Sequence, residues 1–167
     1  QNLLENLKIP KNLKIGIMVN TSDLLEKKTI NIKILKKLIS KKNKNKLSFI
    51  RFACHFNEIF YLRKCFNYLR KLNLKVFVNI MQISEIKFQQ LDRVTNFLRK
   101  NKIETIFLAD SLGSLKPKEL QKILLHLKKN WKWEIGLHAH NNLNLALKNS
   151  LNAITNGAKW IDATITG

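Results

Sequence analysis

Two histidines one residue apart, His138 and His140, close the apolar run Glu134-Ile135-Gly136-Leu137-His138-Ala139-His140, and the polar pair Asn141-Asn142 follows. Side chains alternate faces along a strand, so both imidazoles point the same way, with Gly136 before them. Two imidazoles side by side at a strand end can grip one metal ion. The bland alternative is a pair of hydrogen-bonded histidines at a loop entrance. A divalent ion also wants a carboxylate and positions open to substrate. Asp110 ends the preceding strand and is the local candidate, as a direct ligand or as the group that holds an imidazole. Asp162, within the next strand, reads as a structural or similar holding group. Two histidines with one carboxylate also suit a non-haem iron oxygenase, so coordination alone does not fix the reaction. His55, at another strand end, is a candidate acid/base or substrate-binding group. His126 lies on a helix between Leu125 and Leu127 and reads as a boundary histidine.

The elements that must position these residues follow a repeating pattern. After an amphipathic start (Leu3, Leu4, Leu7) and Pro10, apolar runs at 14–20, 47–55, 75–82, 105–110, 134–140 and 160–164 read as strands. Ser22 or Asp23 can cap the first helix, marked by Ile30, Ile34, Leu35 and Leu38. A solvated turn over 41–46 leads to the second strand. Its helix carries Ile59, Phe60, Leu62, Phe66, Leu69 and Leu72. Stripes at Phe88, Leu91, Val94 and Leu98, then at Leu120, Ile123, Leu124 and Leu127, mark two more, with Pro117 suited to a first turn. Leu143, Ala146, Leu147, Ser150, Leu151 and Ile154 mark the fifth, and Gly157 ends it.

Six strands alternate with five helices at a spacing of about 25–30 residues, as βα units require. The strands are near-continuous apolar runs, which predicts a parallel sheet covered on both faces. A doubly wound sheet and a (β/α)8 barrel both satisfy this, and no Gly-rich phosphate loop favours the former. Polar residues collect at one end of the strands: Asn20, His55, Gln82, Asp110 with Ser111, His138 with His140, and Thr164. A ring of this kind is what an active site at the C-terminal mouth of a barrel needs.

Composition bounds the rest. The 167 residues suffice for one domain, and Lys+Arg 31 against Asp+Glu 11 gives a net charge of +20. That charge alone suggests an anionic partner, and a basic nucleic-acid-binding module is one alternative reading. Aromatic residues are not interleaved with the lysines as a stacking platform would require, so nucleic acid is not the expected partner. No run of 18 apolar residues predicts a membrane span. Cys54 and Cys65 lack metal-type spacing and read as reduced thiols of a cytoplasmic protein.

Several stretches together resemble one family. Gly136-Leu137-His138-Ala139-His140-Asn141-Asn142-Leu143, with Leu145-Ala146, Asn149-Ser150, Gly157-Ala158 and Ile161-Asp162-Ala163-Thr164 to Gly167, resembles the metal-binding segment of the HMG-CoA-lyase-like (DRE-TIM) metallolyases. Ala109-Asp110-Ser111-Leu112-Gly113 and Arg51-Phe52-Ala53-Cys54-His55 resemble two further strand ends of that family. Asn142, where synthases and lyases carry Asp, places the chain nearer the 4-hydroxy-2-oxovalerate aldolase branch.

The resemblance implies an incomplete TIM-barrel aldolase catalytic domain over residues 1–167. It would hold the third to eighth strands and lack the first two and the C-terminal end, and the fragment alone would be inactive. It implies a divalent metal, Mn²⁺ or Mg²⁺, on His138 and His140, with a third ligand on the missing first strand. Asp110, His55 and Ser111 become candidate catalytic residues, and Arg51, Gln82, Asn141 and Thr164 candidate substrate-binding residues. The expected substrate is a small 2-oxo acid, cleaved or extended through a pyruvate-type enolate. An acyl-CoA-condensing synthase on the same barrel is the alternative chemistry. A homo-oligomer or a partner dehydrogenase is the expected association.

Overall fold

A computed structural model describes residues 10, 12–39 and 45–164. The amphipathic start at Leu3, Leu4 and Leu7, most of the turn over 41–46, and Gly167 lie outside the described residues.

Six parallel strands form one sheet: β1 (Gly16–Asn20), β4 (Phe49–Cys54), β5 (Lys75–Ile80), β6 (Thr105–Asp110), β7 (Glu134–Ala139) and β8 (Trp160–Ile161), side by side in chain order. A short antiparallel pair, β2 (Leu25–Glu26) with β3 (Thr29–Ile30), interrupts the first crossover. The helices are α1 (Ile32–Leu38), α2 (Arg63–Lys71), α3 (Phe88–Lys100), α4 (Pro117–Asn130) and α5 (Ala146–Thr155). This is the predicted alternation of strands and helices in parallel α/β order. Among the described residues β1 and β8 are edges, so the barrel is not closed.

The first crossover departs from expectation. Thr21–Leu24 forms a 3-10 turn, and the helix starts only at Ile32, capped by Asn31, whose Oδ1 accepts from the Lys33 amide at 3.0 Å. Ile30 belongs to the hairpin rather than the helix, and Ser22 and Asp23 cap nothing there. Pro117 does occupy the first helical position of α4, where its missing N–H costs no hydrogen bond. Gly157 (φ +86°) follows the end of α5; its N–H reaches Ile154 O, and that of Ala158 reaches Ala153 O, as in a Schellman motif.

Period-2 alternation divides the sheet into two faces. Ile50, Phe52, Cys54, Val78, Ile80, Ile106, Leu108 and Leu137 face the helices and join Phe66, Leu69, Leu91, Leu98, Leu120 and Leu124 in the buried core. Every residue of β6 is buried. The opposite, concave face carries aromatic rings: Phe77 stacks on Phe49 at 4.7 Å and touches Trp160 at 5.5 Å. Gly136 in β7 admits the ring of Phe107, which a Cβ at that position would strike.

One ion pair reports the curl of the sheet. Arg51 on β4 and Asp162, just past β8, are four strands apart, roughly 19 Å in a flat sheet at about 4.8 Å per strand. Their side chains nevertheless meet at 2.9 Å across the concave face. Only a sheet rolled toward a barrel permits that contact.

The stripe on α5 turns out differently from its pattern. Leu147, Leu151 and Ile154 are exposed, while Asn149 and Ala153 are buried. The helix packs on α4 and β7, and the described chain places no element against its outer side.

Candidate functional site

The C-terminal ends of the strands gather the polar residues into two groups. The first surrounds the histidine pair. His138 lies on β7 and His140 just beyond it, both on the concave face, with ring centroids 5.2 Å apart. They line an open cleft of about 800 Å³ with Asn141, Asn142, Asp162 and Thr164. The ring of His140 packs edge-on against His138 and has no hydrogen-bond partner among the described residues.

His138 is held from one side. Its Nδ1 lies 2.7 Å from Asp162 Oδ2. Arg51 Nη1 donates to the same carboxylate at 2.9 Å, and Arg51 Nε donates to Asn79 Oδ1 at 2.7 Å. The guanidinium also lies over the Phe107 ring at 3.4 Å, a cation–π contact. Burial opposes ionisation of Asp162, but the hydrogen bonds from His138 and Arg51 and the Arg51 charge outweigh it and hold the carboxyl below its ordinary value. Arg51 Nη2 is buried without a hydrogen-bond partner among the described residues. The guanidinium expected to bind substrate is thus committed to a brace across the sheet.

The second group runs along the rim. His55 Nδ1 lies 3.1 Å from Gln82 Oε1, and the backbone amide of Gln82 donates to Ser111 Oγ at 3.2 Å. Gln82 itself adopts a left-handed conformation (φ 51°, ψ 45°), a costly one for a non-glycine residue. His55, Gln82 and Ser111 are therefore linked, as their common position at the strand ends suggests.

Asp110 lies apart from the histidines. It is buried, and its carboxylate accepts from the amides of Ser114 (3.1 Å) and Leu115 (3.2 Å), shaping the loop before α4. The reason is strand parity. Ala109 sits opposite His138 and Asp110 opposite Ala139, so Asp110 turns to the helix side.

Asn141 Oδ1 accepts from the Ala146 amide at 3.0 Å and orders the start of α5. Asn142 Nδ2 donates to Leu112 O at 3.1 Å, lying across Gly113 (φ +60°) and joining the loops after β6 and β7. The buried Asn149 adds a second clamp, donating from Nδ2 to Leu115 O at 2.7 Å. Its sequence signal is one polar residue on the inner side of α5, easily taken for a surface residue.

Outside the site, His126 bridges α3 and α4: Nε2 lies 2.8 Å from Asp92 Oδ1 and the ring stacks on Phe88. Cys54 and Cys65 are free and buried. Burial raises both thiols, that of Cys65 to about 12, so neither is a ready nucleophile.

For a metal ion, the donors are two imidazole nitrogens. Among the described residues no three His, Cys, Asp or Glu groups stand together to hold one. Asp162 is beside the pair, but both its oxygens are already engaged. The histidines fit a cation as part of a coordination shell. Among the described residues no helix is long and apolar enough to cross a membrane.

Comparison with known proteins bears on this geometry. The model of the family described as HMGL-like matches residues 10–167. A 4-hydroxy-2-oxovalerate aldolase of Bacillus thuringiensis (strain Al Hakam) is 28% identical over 116 residues, 70% of this chain and 34% of that protein. The enzyme of the same name from Geobacillus genomosp. 3 is 30% identical over 121 residues, 72% of this chain and 36% of the relative. The chain thus spans about a third of the length of these relatives.

Among solved structures, the N-terminal domain of a Bacteroides vulgatus protein provisionally named an aldolase superposes with a TM-score of 0.77 at 28% identity, covering 93% of this chain and 50% of that one. Bacillus subtilis HMG-CoA lyase gives 0.73 at 15% identity, covering 94% and 55%, and there the likeness is one of fold alone.

Proposed function

The chain belongs to the HMGL-like family, and on that premise we propose that the protein of which it forms part is a divalent-metal-dependent aldolase acting on a 2-oxo acid. The observation that carries this reading is the His138–His140 pair on one face of β7, with Asp162 holding the Nδ1 side of His138. His138 and His140 would supply two nitrogen ligands to Mn²⁺ or Mg²⁺. When bound, the ion supplies a Lewis acid for the 2-oxo and carboxylate oxygens of substrate.

The remaining roles fall to residues of the rim. His55 can move a proton at Nε2: Gln82 Oε1 accepts from Nδ1–H and leaves the lone pair on the other nitrogen. Thr164 and Asn141 border the cleft and orient substrate there. Ser111, which accepts from the Gln82 amide beside His55, and Gln82 complete the proposed substrate-binding rim. Asp110 shapes the loop that carries Ser111 and touches no reacting atom in this reading.

The test is pyruvate release from 4-hydroxy-2-oxo acids by the whole protein. Turnover should rise with Mn²⁺ or Mg²⁺ and be abolished in His138→Ala and His140→Ala. Turnover unchanged by thorough chelation overturns the reading. Release of free thiol from acetyl-CoA with a 2-oxo acid, without aldol cleavage, would transfer the site to the acyl-CoA-condensing alternative.

A further inference from the structure

The two histidines are not equivalent. His140 has no hydrogen-bond partner among the described residues, whereas His138 is tied to a carboxylate that is itself tied to a guanidinium. This asymmetry assigns a proton. Arginine can only donate, and a carboxylate engaged by it serves as an acceptor. The remaining partner of Asp162 Oδ2, Nδ1 of His138, must then be the donor. A proton sits on Nδ1, and in the neutral ring the lone pair is left on Nε2.

We propose that Asp162 is a positioning residue: it fixes the ring and tautomer of His138 so that Nε2 is the ligating nitrogen, and Arg51 holds Asp162 in place for that purpose. The proposal rests on the metal reading above for its consequence, though not for its geometry. Each link is itself fixed. Arg51 cannot swing away, because Asn79 Oδ1 holds its Nε and Phe107 lies under its guanidinium plane. Asp162 follows β8, its own amide donating to Leu137 O at 3.0 Å, which places its side chain on the same face as His138. A carboxylate behind a ligating imidazole sets which nitrogen coordinates and raises its basicity.

Substitution by asparagine opposes this arrangement. In Asp162→Asn the new side-chain amide has one acceptor and one NH₂, but it faces two donors, Arg51 Nη1 and His138 Nδ1–H. If the NH₂ turns toward His138, the ring must carry its proton on Nε2, where no lone pair then remains for an ion.

The experiment is a two-bond ¹H–¹⁵N correlation spectrum of histidine-labelled full chain at neutral pH, first without metal and then with Zn²⁺. His138 should show a protonated Nδ1 and an unprotonated Nε2, and Asp162→Asn should change that pattern and weaken Zn²⁺ binding about 10–100-fold. A His138 protonated on Nε2 in the unsubstituted chain overturns the proposal without need of any variant. So does an Asp162→Asn chain with unchanged tautomer and Zn²⁺ affinity.

The metal reading is judged separately. Zn²⁺ that shifts neither imidazole removes it but leaves an Nδ1-protonated His138, and with it the positioning role, in place. Zn²⁺ that shifts both rings while His138 is protonated on Nε2 keeps the metal and removes the role given to Asp162.

Discussion

Asp162 Oδ2 lies 2.7 Å from His138 Nδ1, on the side of the ring turned away from any ligand at Nε2. The pair joins neighbouring strands, and the same carboxylate reaches four strands across the sheet to Arg51. One carboxylate therefore both holds an imidazole and spans the curled sheet.

Removing the guanidinium should test that dependence. In Arg51→Ala, Asp162 keeps its burial but loses its counter-charge, and the cation–π contact with Phe107 is lost. The pair is neither fully buried nor freely exposed, with side chains 12% and 24% accessible. A loss of about 1–3 kcal/mol lies between the values for exposed and buried pairs. Urea denaturation should show it as a lower midpoint at unchanged slope.

Acid should undo the same contact. Asp162 is held below its ordinary value of 3.8 in the fold, so the unfolded chain binds more protons through that range. Its contribution is complete above the ordinary value and is lost as pH falls through the lowered one. Urea midpoints between about pH 6 and pH 3 should fall less steeply for Asp162→Asn than for the unsubstituted chain. Parallel slopes would contradict the assignment.

Asp110 should behave as a loop-shaping residue. Asp110→Ala leaves the amide of Ser114 and the buried amide of Leu115 without their acceptor, which costs about 1–3 kcal/mol. Zn²⁺ affinity at the histidine pair, measured by calorimetry on the folded variant, should stay within about twofold of the original, since the metal-holding groups are untouched. A large loss of affinity with stability intact would return Asp110 to the metal site.

Gly113 should tolerate no side chain. Its φ is +60°, and a Cβ there would come 2.6 Å from Cγ of Asn142. Gly113→Ala should cost about 1–3 kcal/mol and break the Asn142–Leu112 hydrogen bond, releasing the loop after β7 to faster amide exchange. An unchanged thermal midpoint would show that the turn accommodates the methyl.

Much of this was legible in the residues. Apolar runs of strand length alternating with 3.6-residue stripes specify βα units, and Pro117 and Gly157 mark helix ends by backbone conformation alone. The histidine pair was visible for the same reason, since alternation decides its face. Asp110 and Asp162 show where reading stopped. Both lie at the ends of strands that flank β7, and parity places Asp162 on the histidines' face and Asp110 on the other. That distinction needs the register between strands, which sequence distance does not supply. Arg51 enters from the sequence only through the family resemblance, as a candidate substrate-binding residue. Its partner 111 positions away becomes apparent only once the sheet is curled. The exposed leucines of α5 mark another limit, because a helical stripe says which side is apolar and not what stands against it.

A bond between residues 111 apart also has a place in time. Closing so long a loop costs more entropy than any hairpin or single crossover, so it is favourable only after the intervening strands have already docked. The brace from Arg51 to the carboxylate behind His138 is thus among the last contacts that folding makes, later than the meeting of ring and carboxylate across the single β7–β8 crossover.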